Sequence, residues 1–316
     1  MRSACGKDSG AHLSCRPPAG AGTGEVAKSW QRCAGSYQLD PAQGWRAEIL
    51  SGAEFRHISG RSATLLKMAV PEMRRLFTLV QGLNLMVLLA DSDATILARS
   101  VDETHLLTCR RLQLREGAMW DERVAGTNGI GTSVRDGCPI FLGEGEHWRF
   151  CFSLLASYAA PIFDSQGRVA GAINLAALSG DSTRPVASLV LETLLQSARR
   201  IEERLFRERY VGQRVLTLGP DEGCSAPLVS INDDGQITGA THAARSLAGW
   251  TDDMIQKHPN LLTKLESSSE ISFQKAEEHV LRSALAMSLG NASAAARSLG
   301  ISRATLYRKL KSLGLT

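Results

Sequence analysis

Several side chains in this sequence are spaced so that they could do chemistry. His105 and Cys109, and likewise His147 and Cys151, stand four residues apart, the interval that lets two ligands on one helix face share a metal ion. Each pair is only a two-ligand fragment, and both histidines fall where loops are expected. They therefore read as neutral imidazoles beside buried thiols, with no metal site. Cys109, Cys138 and Cys151 lie in one central region and would support thiol redox chemistry if activated, but only Arg110-Arg111 brings positive charge next to one of them. Gly126, Gly129 and Gly131 mimic a phosphate-cradling loop, yet the Gly-Lys-Ser/Thr ending and the preceding strand are missing. No Ser-His-Asp or paired-carboxylate motif occurs, so no catalytic residue and no cofactor is expected. The remaining group is basic: from His279 to Thr316 there is no Asp or Glu, against Arg282, Arg297, Arg303, Arg308, Lys309 and Lys311.

That last asymmetry is informative because the whole chain is nearly neutral, at +4. Removing those six from the 36 basic residues leaves 30 against 32 acidic ones, so a neutral body carries a basic tip of the kind that docks on a polyanion. With 316 residues, 43% of them hydrophobic and 22% charged, the chain is long enough for two or three packed domains. The most apolar stretch, Leu83 to Ala90, is strand-sized and far short of a membrane span. The first twenty residues lack the apolar core of an export signal, and the seven cysteines include no CxxC pair. These features predict reduced thiols, a cytoplasmic location and no membrane partner.

The elements that must position these residues follow from periodicity. Residues 1–24, rich in Gly, Ala and Ser, are read as disordered, and 25–60 as an N-terminal helical segment beginning over VAKSWQRCAG. From Ser62 to Gln81, Leu65, Leu66, Ala69, Met73, Leu76, Phe77 and Val80 recur at helical spacing, with Pro71 expected to kink the helix or start a new one. Three segments (83–98, 158–175 and 226–241) share the pattern of apolar strand, acidic turn and second apolar strand. The first has Ala94 where the others have Gly167 and Gly235, which leaves its turn type open. Hairpins flanked by helices imply an α+β fold with an antiparallel sheet. Asp136-Gly137 is expected to turn a further hairpin between short strands. Between Pro185 and Tyr210, Val190, Leu194, Ala198, Ile201 and Leu205 make a helical stripe, which either closes its own domain or pairs with a second copy.

The strongest local signal is NASAAARSLGISRATLYRKLKSLG, residues 291–314. Asn291 caps a short helix that Gly300 can end, and Ser302 caps a second helix from Arg303 to about Ser312: the helix-turn-helix arrangement. Leu306, Leu310 and Leu313 form the inward stripe. The opposite face carries the candidate DNA contacts: Ser302, Arg303, Ala304 and Thr305 near base edges, and Tyr307, Arg308, Lys309 and Lys311 alongside, the charged ones near phosphate. The preceding helix exposes Val280, Leu281, Ala284 and Leu285 on one face, a stripe that a symmetric partner would cover.

This segment resembles the Fis-type helix-turn-helix of bacterial enhancer-binding regulators, over residues 273–316. In the body, Glu122 with GTNGIGT (126–132), GEGEH (143–147) and AAPIFDSQG (159–167) resemble the GAF sensor domain of acetoin-catabolism-type regulators of the sigma-54 enhancer-binding family. VAKSWQRCAGSYQLDP (26–41) is similar to that family's opening stretch, and residues 227–250 to the front half of a PAS module. The resemblance implies a GAF-like sensor at 61–210, a partial PAS-like module at 221–257, a linker at 258–272 and the DNA-binding unit at 273–316. One departure is large: the central AAA+ ATPase of that family is absent, and neither GxxxxGK[ST] nor GAFTGA occurs. The reading is a sequence-specific, DNA-binding transcriptional regulator that senses a small-molecule effector without ATP hydrolysis. It would act as a homodimer on double-stranded DNA, with RNA polymerase or another regulator as a further partner. Trp120, Cys138, His147 and Phe150 are the candidate effector-binding residues. The alternative is a GAF-fold thiol redox enzyme or redox/metal sensor.

Overall fold

The computed structural model describes residues 24–178, 186–218, 226–261, 292, 295–296 and 301–312. The chain opens with α1 (Gly24–Gln31), whose last turn widens into a π-helical stretch over Arg32–Ser36. An extended strap over residues 37–51 follows. It ends at Ser51, whose hydroxyl and Glu54 form a reciprocal capping box that starts α2 (Gly52–Arg61). α3 (Ala63–Val80) is one unbroken helix with Pro71 inside it, so no new helix starts there. Pro71 and Lys67, whose carbonyl loses its partner, are both exposed, and water can satisfy the freed group.

The apolar segments become strands β1 (Met86–Asp91) and β2 (Ile96–Ser100). The turn between them places Ala94 at φ 59, and Asp91 Oδ1 accepts from the amides of Asp93 (3.0 Å) and Thr95 (2.8 Å). Ala94 thus takes the left-handed position that Gly167 and Gly235 take in the other two hairpins, whose turns are held likewise by Asp164 and Asn232. Next come α4 (Leu106–Leu112), α5 (Glu122–Ala125), α6 (Gly129–Asp136) and the short β3 (Ile140–Leu142). The expected hairpin at Asp136-Gly137 is not formed. Asn128 caps a helix instead, and Gly137, at φ 62, ends it in the left-handed conformation. β4 (Leu155–Phe163) and β5 (Val169–Leu178) complete an antiparallel sheet in the order β2-β1-β5-β4-β3. α7 (Ala187–Arg209) returns across it.

β1 is buried on both sides because its side chains alternate between two cores. Val87 and Leu89 join Tyr158, Ala160, Ile162, Ile173 and Leu175 under α3 and α7. Met86, Leu88 and Ala90 face Cys109, Leu114, Trp120, Ile130 and Phe152 on the other side. Val190, Leu194, Ala198, Ile201 and Leu205 of α7 all lie in the first core, so that stripe closes its own domain. The helices are further tied by Glu72, buried in α3, which accepts from Arg75 (2.7 Å) and from Arg200 of α7 (2.9 Å).

A second, three-stranded unit follows: β6 (Arg214–Thr217), β7 (Leu228–Ile231) and β8 (Ile237–Ala240), with α8 (His242–Ala248) and α9 (Asp252–Gln256). Its core includes Val229, Ile237, Ala244, Trp250, Ile255 and Leu261. Residues 259–261, read from sequence as linker, pair with this unit: the amide of Ile237 donates to the Pro259 carbonyl and that of Leu261 to Gly235. Phe163 stacks on His242 at 3.9 Å, which joins the two sheets' units. The last described helix is α10 (Arg303–Ser312).

Candidate functional site

The motif spanning residues 122–132 is the socket of a clasp. Asn128 fixes the local geometry: its side chain accepts from the Gly131 amide (2.8 Å) and donates to the carbonyls of Trp120 (2.9 Å) and Gly126 (2.8 Å). Residue 131 must be glycine because a Cβ would overlap the Trp120 carbonyl oxygen and sit 2.7 Å from the Glu122 nitrogen. Glu122, Thr127 and Thr132 turn to the N-terminal helix. Glu122, 1% exposed, accepts from Ser29 Oγ at 2.7 Å, from Arg32 Nε at 2.7 Å and Nη2 at 2.9 Å, and from Tyr37 at 3.3 Å. Thr127 shares a hydrogen bond with Ser29 at 2.7 Å, and Arg32 also reaches Asp136 at 2.9 Å. Burial pushes the Glu122 carboxyl up, but the hydrogen bonds from Arg32 and Ser29 and the bond to Thr132 outweigh it and hold it below the usual range. Trp30 adds a bond from its indole to the Glu146 carbonyl (2.9 Å) and an edge-on contact with Trp148.

Sequence reasoning named Glu122 and the glycines but missed Ser29 and Arg32 as their partners. The available signal was the S-W-x-R-C stretch, whose Ser29 and Arg32 share a helix face at i, i+3.

Of the four candidate effector residues, Trp120 and His147 are brought together. Both are buried, and both pack on Phe152, at 5.0 and 6.3 Å between ring centroids. Trp45 of the strap meets the same ring at 5.3 Å. Cys138 is exposed past the end of α6, and Phe150 is 48% exposed, so neither joins this cluster. Burial drives the His147 pKa down to about 3, and neither ring nitrogen has a hydrogen-bond partner among the described residues. A separate cavity of about 490 Å³ opens between α2, α3, the two strand turns and the end of α7, lined by Arg61, Asp91, Asp93, Asp164 and Arg209 among others. None of the four candidates lines it.

Cys33 and Cys109, both buried, lack the setting of reactive thiols. Burial raises the pKa of both Cys33 and Cys109, and the Cys109 thiol donates to Met86 Sδ at 3.3 Å. Among the described residues, no group of three or more His, Cys, Asp or Glu side chains could hold a metal ion. Nor is any described helix long and apolar enough to cross a membrane.

In α10, Ser302 accepts from the Thr305 amide at 3.1 Å, the cap expected of it. Leu306 and Leu310 are buried against Ala295 and Ala296. On the other side Ser302, Arg303, Tyr307 and Arg308 are exposed, and Arg303 lies over the Tyr307 ring at 5.6 Å. The side chains of Ala304, Lys309 and Lys311, together with Val280, Leu281, Ala284, Leu285, Asn291, Gly300 and Leu313, lie outside what is described.

With this geometry in place, the comparisons with known proteins are specific. The family model described as MimR, N-terminal domain, matches residues 16–199, and that of the bacterial regulatory proteins of the Fis family matches 272–313. The acetoin dehydrogenase operon transcriptional activator AcoR of Bacillus subtilis is 27% identical over 226 residues, covering 71% of this chain and 37% of that protein. The acetoin catabolism regulatory protein of Cupriavidus necator is 27% identical over 224 residues, 70% of this chain and 34% of that protein. The chain therefore spans somewhat over a third of the length of these relatives. Among solved structures, the complex of E. coli DhaR(N) with DhaL shares the fold at a TM-score of 0.55 and 18% identity, over 72% of this chain and 78% of that one.

Proposed function

Because the chain belongs to the MimR N-terminal domain family and carries a Fis-family helix-turn-helix behind it, we propose that it is a sequence-specific DNA-binding transcriptional regulator whose five-stranded unit senses a small-molecule effector. The observation that carries this reading is the two-sidedness of α10. Leu306 and Leu310 face inward, while Arg303, Tyr307 and Arg308 stand in solvent on a tip without a single acidic residue. Such a helix can lie in the major groove, with its N-terminal turn at the base edges and its cations on the phosphates. Ser302, Thr305 and Arg303 take the first role, and Arg308, Lys309 and Lys311 the second, with Ala304 and Tyr307 flanking them.

The active form is a homodimer on a two-fold symmetric site, and the effector site uses Trp120 and His147. DNA occupancy, without ATP hydrolysis, is the mode of action. GxxxxGK[ST] occurs nowhere in the 316 residues, and too little chain separates the three-stranded unit from the basic tip to hold an ATPase. RNA polymerase or another regulator is the protein partner. The DhaR(N)–DhaL complex, in which a similarly folded unit meets another protein, supports such a partner.

The test is fluorescence anisotropy with genomic fragments selected by the full chain. Binding should fall steeply as salt rises, by about a thousandfold or more between 50 and 200 mM if six or more phosphates are contacted. Arg308→Ala should weaken a specific fragment by about 1–3 kcal/mol if it reads a base, and by less, uniformly across sequences, if it holds a phosphate. Affinity unchanged by Arg308→Ala and by removal of residues 273–316 would sink the assignment.

A further inference from the structure

One cavity in this fold is lined by charges that find no partner. It measures about 490 Å³, within the range that holds small-molecule ligands, and lies between α2, α3, the β1–β2 and β4–β5 turns and the end of α7. Asp91 lines it and is itself only 5% exposed. Its Oδ1 accepts from the amides of Asp93 and Thr95 and so holds the turn, while its Oδ2 has no hydrogen-bond partner among the described residues. That second oxygen is not among the atoms sealed in the interior, so it opens on the cavity. Asp93 lines the same space. Burial pushes the Asp91 carboxyl up, and the Asp93 charge adds to the shift, so a cation placed here would relieve both.

The charges around the cavity sort into two groups. Glu208 is taken by Lys67 at 2.7 Å and Asp164 by Arg168 at 3.1 Å. Asp91, Asp93, Arg61 and Arg209 make no ion pair among the described residues, although all four line the one cavity. Two carboxylates and two guanidiniums thus stand around a common space, further apart than ion-pair contact, and a guest that carries both signs can bridge them. Among the described residues no group of three or more His, Cys, Asp or Glu side chains could hold a metal ion, so the cation that suits Asp91 is organic. An ammonium group has three donors, enough for Asp91 Oδ2 and for Asp93, and a carboxylate matches the fork of an arginine. Ile58, Leu65 and Leu205 supply an apolar wall for the rest of the guest.

We propose that this cavity binds a small α-amino acid with an apolar side chain. Its ammonium donates to Asp91 Oδ2 and to Asp93, its carboxylate accepts from the exposed Arg61 and Arg209, and its side chain lies on Ile58, Leu65 and Leu205. The site is separate from the Trp120 and His147 cluster and does not rest on the regulator reading. Binding would tie the end of α7, which leads into the three-stranded unit, to both strand turns.

The test is titration calorimetry of the full chain with L-valine, L-leucine and L-methionine, each beside the amine that lacks its carboxylate and the acid that lacks its ammonium (for leucine, 3-methylbutylamine and 4-methylpentanoate). At least one amino acid should bind about tenfold or more tighter than both of its analogues, the worth of one charge-assisted hydrogen bond. Asp93→Asn should weaken that amino acid and its amine by a similar factor and leave the acid no weaker. Arg61→Gln together with Arg209→Gln should bring the amino acid to the affinity of its amine and leave the amine no weaker. These three positions are exposed, so the variants keep the fold, which circular dichroism verifies. No binding of any of the amino acids, an amine or acid binding as tightly as its amino acid, or an affinity untouched by Asp93→Asn or by the arginine double variant would each overturn the site.

Discussion

Arg32→Ala should open the clasp between α1 and the 122–132 motif. The guanidinium supplies two of the hydrogen bonds on Glu122, at 2.7 and 2.9 Å, and one on Asp136 at 2.9 Å. Glu122 is 1% exposed at its side chain and Arg32 22%, so the loss leaves a nearly buried carboxylate with only hydroxyl donors. Breaking one side of a buried pair costs about 3–5 kcal/mol, and the partial exposure of Arg32 places this case near 3. For a unit of this size that corresponds to a fall in Tm of about 6–12 °C, readable by circular dichroism. Glu122→Gln in the Arg32→Ala background removes the stranded charge while keeping an acceptor for Ser29 and Tyr37, and should recover about 1–2 kcal/mol. A Tm within about 2 °C of wild type for Arg32→Ala, or a double variant less stable than the single, would refute the view that the motif exists to hold this helix.

Other consequences are simpler. The His147 pKa lies near 3 when folded, against 6.5 as the ordinary value, so the unfolded chain binds the extra proton between them. Stability is therefore full above about pH 6.5 and falls toward pH 3 by about 1.4 kcal/mol per unit, and His147→Phe should flatten that slope in urea titrations. Glu122 is shifted in the same direction, its stability present above the ordinary 4.5 and lost as pH falls below it, so below about pH 4.5 its loss adds to that of His147. Gly131→Ala forces a Cβ into the Trp120 backbone and should cost about 3 kcal/mol. Gly52→Ala, which meets only the flexible end of Arg56 at 3.6 Å, should be within about 1 kcal/mol of neutral or better.

The hairpins were legible in the sequence because strand and turn signals are local: apolar runs around an aspartate-led turn dictate the same structure wherever they occur. So was the inward stripe of α10, since Leu306 and Leu310 repeat at four. Asp136-Gly137 misled because the same dipeptide turns a hairpin or ends a helix. Residues 129–135 are too small and polar to show helical periodicity, and only the Asn128 cap reveals the helix. At Pro71 the sequence left two outcomes open, a kink or a new helix, and the helix runs on because the bond that proline deletes faces water. The clasp was illegible in detail because Glu122 lies 90 residues from Arg32, and nothing local in either segment names its partner. Trp120 and His147 could be nominated by type. Trp45 carried no signal, since a tryptophan in an irregular strap has no period to betray its contacts.

The most direct measurement is a DNase footprint of the full chain on a genomic fragment it selects. A dimeric major-groove reader protects two half-sites about 34 Å apart, related by two-fold symmetry, and loses the pattern on Arg308→Ala or on scrambling one half-site. Uniform protection of any sequence, or none at concentrations where the protein is folded and dimeric, would contradict the assignment of α10 as a recognition helix.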